Sequence, residues 1–200
     1  MSANPEDINQ DRLVSLKING QTYFANPDET ILEVSKRNSI EIPHLCYKED
    51  MRPDGNCRVC MVEIEGERVL QPSCVRTVTD GMIINTSTER VNHSQKLVLE
   101  LLTSDVSEEV YTQDNELTTW ANKLQIQTHR FPSNIQDKCD TSHPAITVNL
   151  SACIQCTRCV RACREEQVND VIGYAHRGIK SEIVFDINDP KGESTCVGCG

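Results

Sequence analysis

The stretch Cys153-Ile154-Gln155-Cys156-Thr157-Arg158-Cys159-Val160-Arg161-Ala162-Cys163 carries four cysteines separated by two, two and three residues. This is the spacing of the bacterial loop that binds iron–sulfur clusters, except that Arg164 stands where such a loop usually has proline. Three cysteines two residues apart let one tight loop place its sulfurs around a cubane cluster. The fourth cysteine of such a run usually ligates a second cluster, which predicts another cysteine pair further along the chain. The alternative is a set of buried structural thiols.

Cys196 and Cys199 supply the predicted pair, directly before Gly200. Between the two cysteine groups, residues 164–168 continue a helix. Residues 171–175 and 183–186 have the composition of a strand pair. A helix, a hairpin and a second cysteine loop are the layout of a two-cluster ferredoxin with an insertion.

A second cysteine set, Cys46, Cys57, Cys60 and Cys74, has gaps of ten, two and thirteen residues. Four cysteines on a loop-rich sheet edge suit a [2Fe–2S] cluster, although the plant-type spacing has four residues in its first gap. Zinc is the alternative, because a C-x2-C pair serves either metal. The long outer gaps lack the paired spacing of most zinc ribbons and favour iron–sulfur.

The segments around this second set have the pattern of a β-grasp, in which a hairpin is followed by a crossing helix. Residues 13–18 and 21–24 flank the hairpin signal Asn19-Gly20, and a helix is predicted over 31–38. A second hairpin is predicted from 61–64 and 68–70, and 82–84 closes the sheet. Helices are predicted over 87–102 and 114–127. Residues 128–150, with a lone Cys139, are predicted to be a surface connector that ends in a short strand.

The composition excludes several classes of protein. A net charge of −10 disfavours nucleic-acid binding. No apolar run approaches the length of a membrane span. An odd count of eleven cysteines and an acidic, polar start argue against secretion and disulfides. These features indicate a cytoplasmic thiolate–metal protein.

The order of these cysteine groups resembles the N-terminal region of a large family. It includes the iron–sulfur large subunit of NADH:quinone oxidoreductase, the diaphorase small subunit of NAD-linked hydrogenases and the NAD-dependent molybdenum or tungsten formate dehydrogenases. The segments 152–165, 168–173 and 183–186 are most similar to the formate dehydrogenase α subunit. The resemblance implies an α+β fold: an N-terminal β-grasp [2Fe–2S] ferredoxin-like domain, a helical linker, and a two-cluster bacterial-type [4Fe–4S] ferredoxin module.

Two departures from the family pattern are informative. No cysteine lies between Cys74 and Cys139, so the [4Fe–4S] site with one histidine and three cysteines found in many members cannot form here. A subset of formate dehydrogenase α subunits shares this lack. In the family, two further thiols would follow Gly200, so we expect the chain to be a truncated fragment without the molybdopterin-binding domain.

The resemblance implies ligands and domains as follows. Cys46, Cys57, Cys60 and Cys74 would hold the [2Fe–2S] cluster. Cys153, Cys156 and Cys159 would hold one cubane, and Cys163, Cys196 and Cys199 the other, each one ligand short. The predicted parts are a leader (1–11), the [2Fe–2S] domain (12–86), the helical linker (87–142) and the truncated two-cluster domain (143–200).

The implied function is electron relay between a molybdopterin site and a flavin/NAD-binding partner subunit. No catalytic residue for substrate conversion is expected in these residues. One alternative is a standalone iron–sulfur subunit of an NAD-linked hydrogenase or NADH:quinone oxidoreductase. A zinc-stabilised interaction module is the alternative of another class.

Overall fold

The computed structural model describes residues 13–107, 115–127, 130–136 and 139–199. The chain forms two compact units, Met1–Val98 and Leu99–Gly200. The predicted leader, residues 1–11, lies outside the described residues. The division into a linker and two cluster domains stays a prediction, because the boundary between the units falls inside the predicted linker.

The first unit begins with the predicted hairpin. Strands β1 (Val14–Ile18) and β2 (Gln21–Ala25) pair antiparallel. Asn19 and Gly20 both have positive φ, 52° and 83°, as a two-residue type I′ turn requires. The Asn-Gly signal is therefore confirmed.

Helix α1 (Ile31–Arg37) follows the hairpin and starts at a capping box. The Thr30 hydroxyl accepts a hydrogen bond from the Glu33 amide, and the Glu33 carboxylate accepts one from the Thr30 amide. Ile31, Leu32 and Val34 of α1 are fully buried in the core of this unit. The predicted crossing helix is confirmed.

The remaining strands complete a five-stranded sheet in the order β2-β1-β5-β3-β4. They are β3 (Met61–Ile64), β4 (Gln71–Pro72) and β5 (Ile83–Asn85), and β5 pairs parallel with β1. The prediction of a strand at 68–70 was wrong, since β3 pairs instead with residues 71–72. Val69 remains 49% exposed and does not reach the core. Glu67 accepts hydrogen bonds from Gln71 and Arg76, which holds the wider loop.

Helix α2 (Glu89–Ser104) confirms the helix predicted over 87–102. In the second unit, α3 (Glu116–Lys123) is shorter than the predicted 114–127 and is capped by the Asn115 side chain. No helix of the described residues is long and apolar enough to cross a membrane.

Two hairpins form the sheets of the second unit. Strands β6 (Cys139–His143) and β7 (Ile146–Asn149) pair antiparallel, so the connector predicted over 128–150 contains a full hairpin. Because β6 is almost entirely polar, the apolar alternation that signals a strand is absent from it. Strands β8 (Ile172–Ala175) and β9 (Glu182–Phe185) confirm the predicted strand pair.

The cysteine run leads into a short helix, α4 (Arg158–Arg161), which continues as a π-helical turn, Ala162–Glu166. The helix predicted to continue after Cys163 is thus present as a π-helical turn, which is wider than an α-helical turn. Arg164, in place of the usual proline, forms an ion pair with Asp170 through an Nε to Oδ1 distance of 2.7 Å. Buried Cys163 packs with Val171 and Phe185 in the core of this unit.

Candidate metal centres

The four cysteines of the first unit all lie in loops next to the sheet. Cys46 lies between α1 and β3, Cys57 and Cys60 directly precede β3, and Cys74 follows β4. Cys46, Cys60 and Cys74 are at most 1% exposed, and Cys57 is half-buried. The fold therefore brings together thiols that are up to 28 positions apart, from 46 to 74, and shields them from water.

Direct contacts connect these four sulfurs in the order Cys57, Cys46, Cys74, Cys60. Hydrogen bonds from the thiols of Cys57 and Cys74 lower the pKa of Cys46 to about 2. A hydrogen bond from Cys74 lowers the pKa of Cys60 to about 7, although burial opposes it. The same contacts with Cys46 raise the pKa values of Cys57 and Cys74. Contacts between the sulfurs therefore favour the thiolate form at Cys46 and Cys60 and the thiol form at Cys57 and Cys74.

The backbone around these thiols is shaped for close approach. Gly55 has a φ of +62°, and a Cβ there would lie 3.3 Å from Cγ1 of Val75. Arg58, between Cys57 and Cys60, also has positive φ, 58°. The Ser73 amide donates to the Cys60 carbonyl at 3.0 Å, which fixes the Cys60 and Cys74 segments beside each other.

The donor chemistry fits a cluster with thiolate ligands. Four cysteine sulfurs brought together at one place would supply the four thiolates that a [2Fe–2S] cluster takes. Among the described residues, no three Cys, His, Asp or Glu side chains are arranged to hold a single metal ion.

In the second unit, the cysteine run bends sharply between its ligand positions. Gln155 and Thr157 have φ values of 53° and 65°, in the left-handed region. The Gln155 amide donates to Sγ of Cys153 at 3.4 Å. Burial raises the pKa of Cys153. Cys159 is exposed as a residue, but burial around its sulfur raises its pKa to about 11, with a further contribution from nearby Cys153 and Cys156.

One cavity of about 570 Å³ gathers most of the predicted cubane ligands. Its lining includes Cys153, Cys159, Cys163, Cys196 and Cys199, whereas Cys156 is not among the lining residues. The Val171 amide donates to Sγ of Cys163 at 3.3 Å. Amide donation to ligand sulfurs is a known means of tuning cluster potential. The cysteine run and the C-terminal pair therefore meet within one unit.

The loop that carries Cys196 is held by several side chains. Asp186 accepts hydrogen bonds from the amide and the hydroxyl of Thr195, at 2.6 and 2.8 Å. The Cys196 amide donates to the Ser194 hydroxyl at 3.3 Å. These bonds fix the approach of Cys196 to the cavity.

Cys139 is the exception among the eleven cysteines. It is exposed at the start of β6 and lines a separate cavity of about 690 Å³, whose described lining includes no other cysteine. The structure therefore does not bring it to either predicted ligand set.

Two residues that sequence reasoning missed lie at these sites. Lys191 is only 4% exposed and lines the 570 Å³ cavity. Ser73 is fully buried, and its backbone amide donates to the Cys60 carbonyl. No sequence signal distinguishes either residue, because both stand in polar loop segments whose burial depends on the tertiary fold.

Two protein families match parts of the chain. Residues 11–89 match the 2Fe-2S iron–sulfur cluster binding domain. Residues 143–194 match the ferredoxin-like domain of NADH-quinone oxidoreductase subunit 3. These matches confirm the iron–sulfur prediction and favour it over zinc.

Curated relatives come from three groups of oxidoreductases. A subunit of the NADP-reducing hydrogenase of Solidesulfovibrio fructosivorans is 31% identical over 94% of this chain and 34% of its own length. A subunit of the NADH-quinone oxidoreductase of Rhizobium meliloti is 30% identical over 86% of this chain and 21% of its own length. A putative formate dehydrogenase of Staphylococcus haemolyticus is 28% identical over 96% of this chain and 20% of its own length. The chain spans about a fifth to a third of the length of these relatives.

The fold is also found in a solved structure of NAD⁺-reducing [NiFe]-hydrogenase. The TM-score is 0.80 at 24% identity, with 89% of this chain and 79% of that chain covered. The predicted α+β fold, a [2Fe–2S] ferredoxin-like part followed by a [4Fe–4S] ferredoxin-like part, is confirmed. The chain is therefore an iron–sulfur electron-transfer module of the group that includes NADH-quinone oxidoreductase, formate dehydrogenase-like and NAD-linked hydrogenase subunits.

Proposed function

We propose that Cys46, Cys57, Cys60 and Cys74 are the ligands of the [2Fe–2S] cluster. The observation that carries this assignment is the unbroken line of sulfur contacts among these four residues. The contacts between these sulfurs favour the thiolate form at Cys46 and Cys60, and metal binding requires deprotonated cysteine ligands.

The proposed ligands of the [4Fe–4S] clusters lie in the second unit. Cys153, Cys156 and Cys159 serve one cluster, and Cys163, Cys196 and Cys199 serve the other. The shared cavity and the amide donors to Cys153 and Cys163 support the assignment. Each set supplies three of the four thiolates that a cubane takes.

The role proposed for these clusters is electron relay in a formate dehydrogenase-like oxidoreductase. Electrons would pass between a molybdopterin site in the parent enzyme and a flavin/NAD-binding partner subunit. The lack of cysteine between Cys74 and Cys139 supports this choice, together with a formate dehydrogenase-like relative aligned over 96% of the chain. A cytoplasmic location belongs to the proposal, because thiolate ligands persist in a reducing compartment.

A second candidate is an iron–sulfur subunit of an NAD-linked hydrogenase or of NADH:quinone oxidoreductase. The 31% identical hydrogenase relative favours it. Both candidates use the same clusters and differ in the electron donor.

The relay is tested by anaerobic reconstitution with iron and sulfide, followed by visible and EPR spectroscopy. After reduction by any low-potential electron donor, we expect the EPR signal of a reduced [2Fe–2S] cluster. A colourless, EPR-silent protein that binds zinc would overturn the proposal. To separate the two candidates, each potential partner enzyme is added with its own substrate, formate or hydrogen, and reduction of the clusters is followed. Reduction by the hydrogenase partner alone would favour the second candidate.

A further inference from the structure

Lys191 is a buried lysine whose ammonium group forms no hydrogen bond and no close ion pair among the described residues. It is 4% exposed, and its Nζ atom donates no hydrogen bond to any described residue. No ion pair within the same residues includes it either. A buried ammonium without a counter-charge is destabilising, so its burial calls for an explanation.

The backbone of this residue is held firmly in place. The Lys191 amide donates to Oδ2 of Asp140 at 2.6 Å, and the Gly192 amide donates to the Ser142 hydroxyl at 2.7 Å. Both bonds fasten the loop to strand β6. The position of the lysine is therefore built into the fold and does not depend on a mobile surface chain.

The cavity beside Lys191 is lined by cysteine thiols and by no described carboxylate. Lys191 lines the cavity that also holds five cysteines, and no aspartate or glutamate is among the described lining residues. The carboxylate that its backbone amide contacts, Asp140, lies outside that lining. Hydrogen bonds from Ser142 are the main cause of the lowered pKa of Asp140, and the charge of Lys191 is the smallest. Thiolates and a cluster would supply the counter-charge that the described residues lack.

We propose that Lys191 is the counter-cation of the iron–sulfur centre in this cavity and raises its reduction potential. The inference rests on the ligand assignment proposed above for the second unit. Reduction adds one electron to the cluster, with no bond formed or broken, so the reduced centre carries one more negative charge. A fixed buried cation stabilises that form more than the oxidised one, and burial protects the interaction from screening by salt. Lys191 acts on the potential through its charge and is not a ligand.

The test compares Lys191→Met, which removes the charge, with Lys191→Arg, which keeps it. Lys180→Met is the matched control, because Lys180 is an exposed lysine of the same unit. All three are made in a Cys57→Ser background, so that the [2Fe–2S] signal does not overlap. Each chain is reconstituted anaerobically and titrated with dithionite, with EPR as the readout of midpoint potential.

We expect Lys191→Met to shift the redox equilibrium about tenfold toward the oxidised form, a drop of about 59 mV for a one-electron couple. Lys191→Arg and Lys180→Met are expected to shift it less than twofold. If Lys191→Met loses the cluster while Lys191→Arg keeps it, the charge is required and the inference stands. An unchanged potential in Lys191→Met, or cluster loss in both Lys191 variants, would overturn it. If the parent background shows neither a cubane signal nor a three-iron signal, the ligand assignment proposed above fails, and this inference with it.

Discussion

At the scale of single residues, the pKa of each cysteine depends more on its surroundings than on its position in a motif. In the first unit, hydrogen bonds between sulfurs lower the pKa of Cys46 to about 2 and that of Cys60 to about 7. In the second unit, burial dominates and raises the pKa values of Cys153 and Cys159. Contacts between sulfurs thus favour the thiolate form at Cys46 and Cys60 in the first unit, whereas burial favours the thiol form at Cys153 and Cys159 in the second.

Substitution of Cys57 tests whether the two sites are independent. Cys57→Ser removes one end of the line of sulfur contacts and should abolish the [2Fe–2S] EPR signal, while signals of the second unit persist. Cys139→Ser is the matched control, since Cys139 lies at neither site, and it should change no cluster signal. Loss of all cluster signals in Cys57→Ser would contradict separate sites.

The division of the cysteines into two groups could be read from their spacing, but the burial of Lys191 could not. A C-x2-C-x2-C-x3-C run specifies its own loop, whereas the gaps of ten, two and thirteen residues around Cys46 to Cys74 depart from the plant-type spacing and rely on the fold to bring the thiols together. The burial of Lys191 depends on a hydrogen bond to Asp140, 51 positions earlier, which no local pattern encodes.

At the scale of elements, strong local signals predicted their structures. The Asn-Gly turn and the apolar face of α1 were sufficient for the first hairpin and helix. The short strand predicted at the end of the connector is present as β7, whereas its partner β6 was missed, because β6 lacks apolar alternation and is supported by hydrogen bonds from the loop near residue 191. Strand β4 begins later than the predicted strand over 68–70, because hydrogen bonds to Glu67 stabilise a wide loop where the sequence predicted a tight turn.

The contact between Gly192 and strand β6 leaves no room for a side chain. A Cβ at residue 192 would lie 2.5 Å from the Ser142 carbonyl oxygen, so Gly192→Ala must displace backbone. We expect a loss of about 1–3 kcal/mol in unfolding free energy and reduced iron retention in the second unit. Chemical denaturation and iron analysis measure both.

Gly173→Ala serves as the control for that substitution. A Cβ at residue 173 meets no atom within 4 Å. Its stability should match or slightly exceed that of the parent chain. Equal losses in the two variants would show that the contact at residue 192 is unimportant.

The capping box of α1 is open to a separate test. Thr30→Ala removes the hydroxyl that accepts from the Glu33 amide, and should cost about 1 kcal/mol of stability, read from denaturant unfolding of the first unit. Thr118→Ala changes an exposed helical threonine without a capping role and should be neutral or slightly stabilising. A Thr30→Ala chain as stable as the parent would contradict the box.

At the scale of the whole molecule, the ligand assignment proposed above gives the first unit four thiolates and gives each cubane site of the second unit three. We therefore expect the reconstituted 200-residue chain to hold a stable [2Fe–2S] cluster, with the cubane sites loaded poorly or as three-iron species. Iron and sulfide analysis, combined with EPR quantification, measures this. Two full [4Fe–4S] clusters per chain would show that the ligand assignment is wrong.

The parallel pairing of β1 with β5 has a consequence for the order of events during synthesis. Lys17 pairs with Ile83, so β1 cannot pair with β5 until the ribosome has translated residue 85. All four thiols of the first site, from Cys46 to Cys74, are translated inside that interval. Pairings between distant segments form slowly, because a long loop must close first. The nascent thiols therefore emerge before the sheet can close around them.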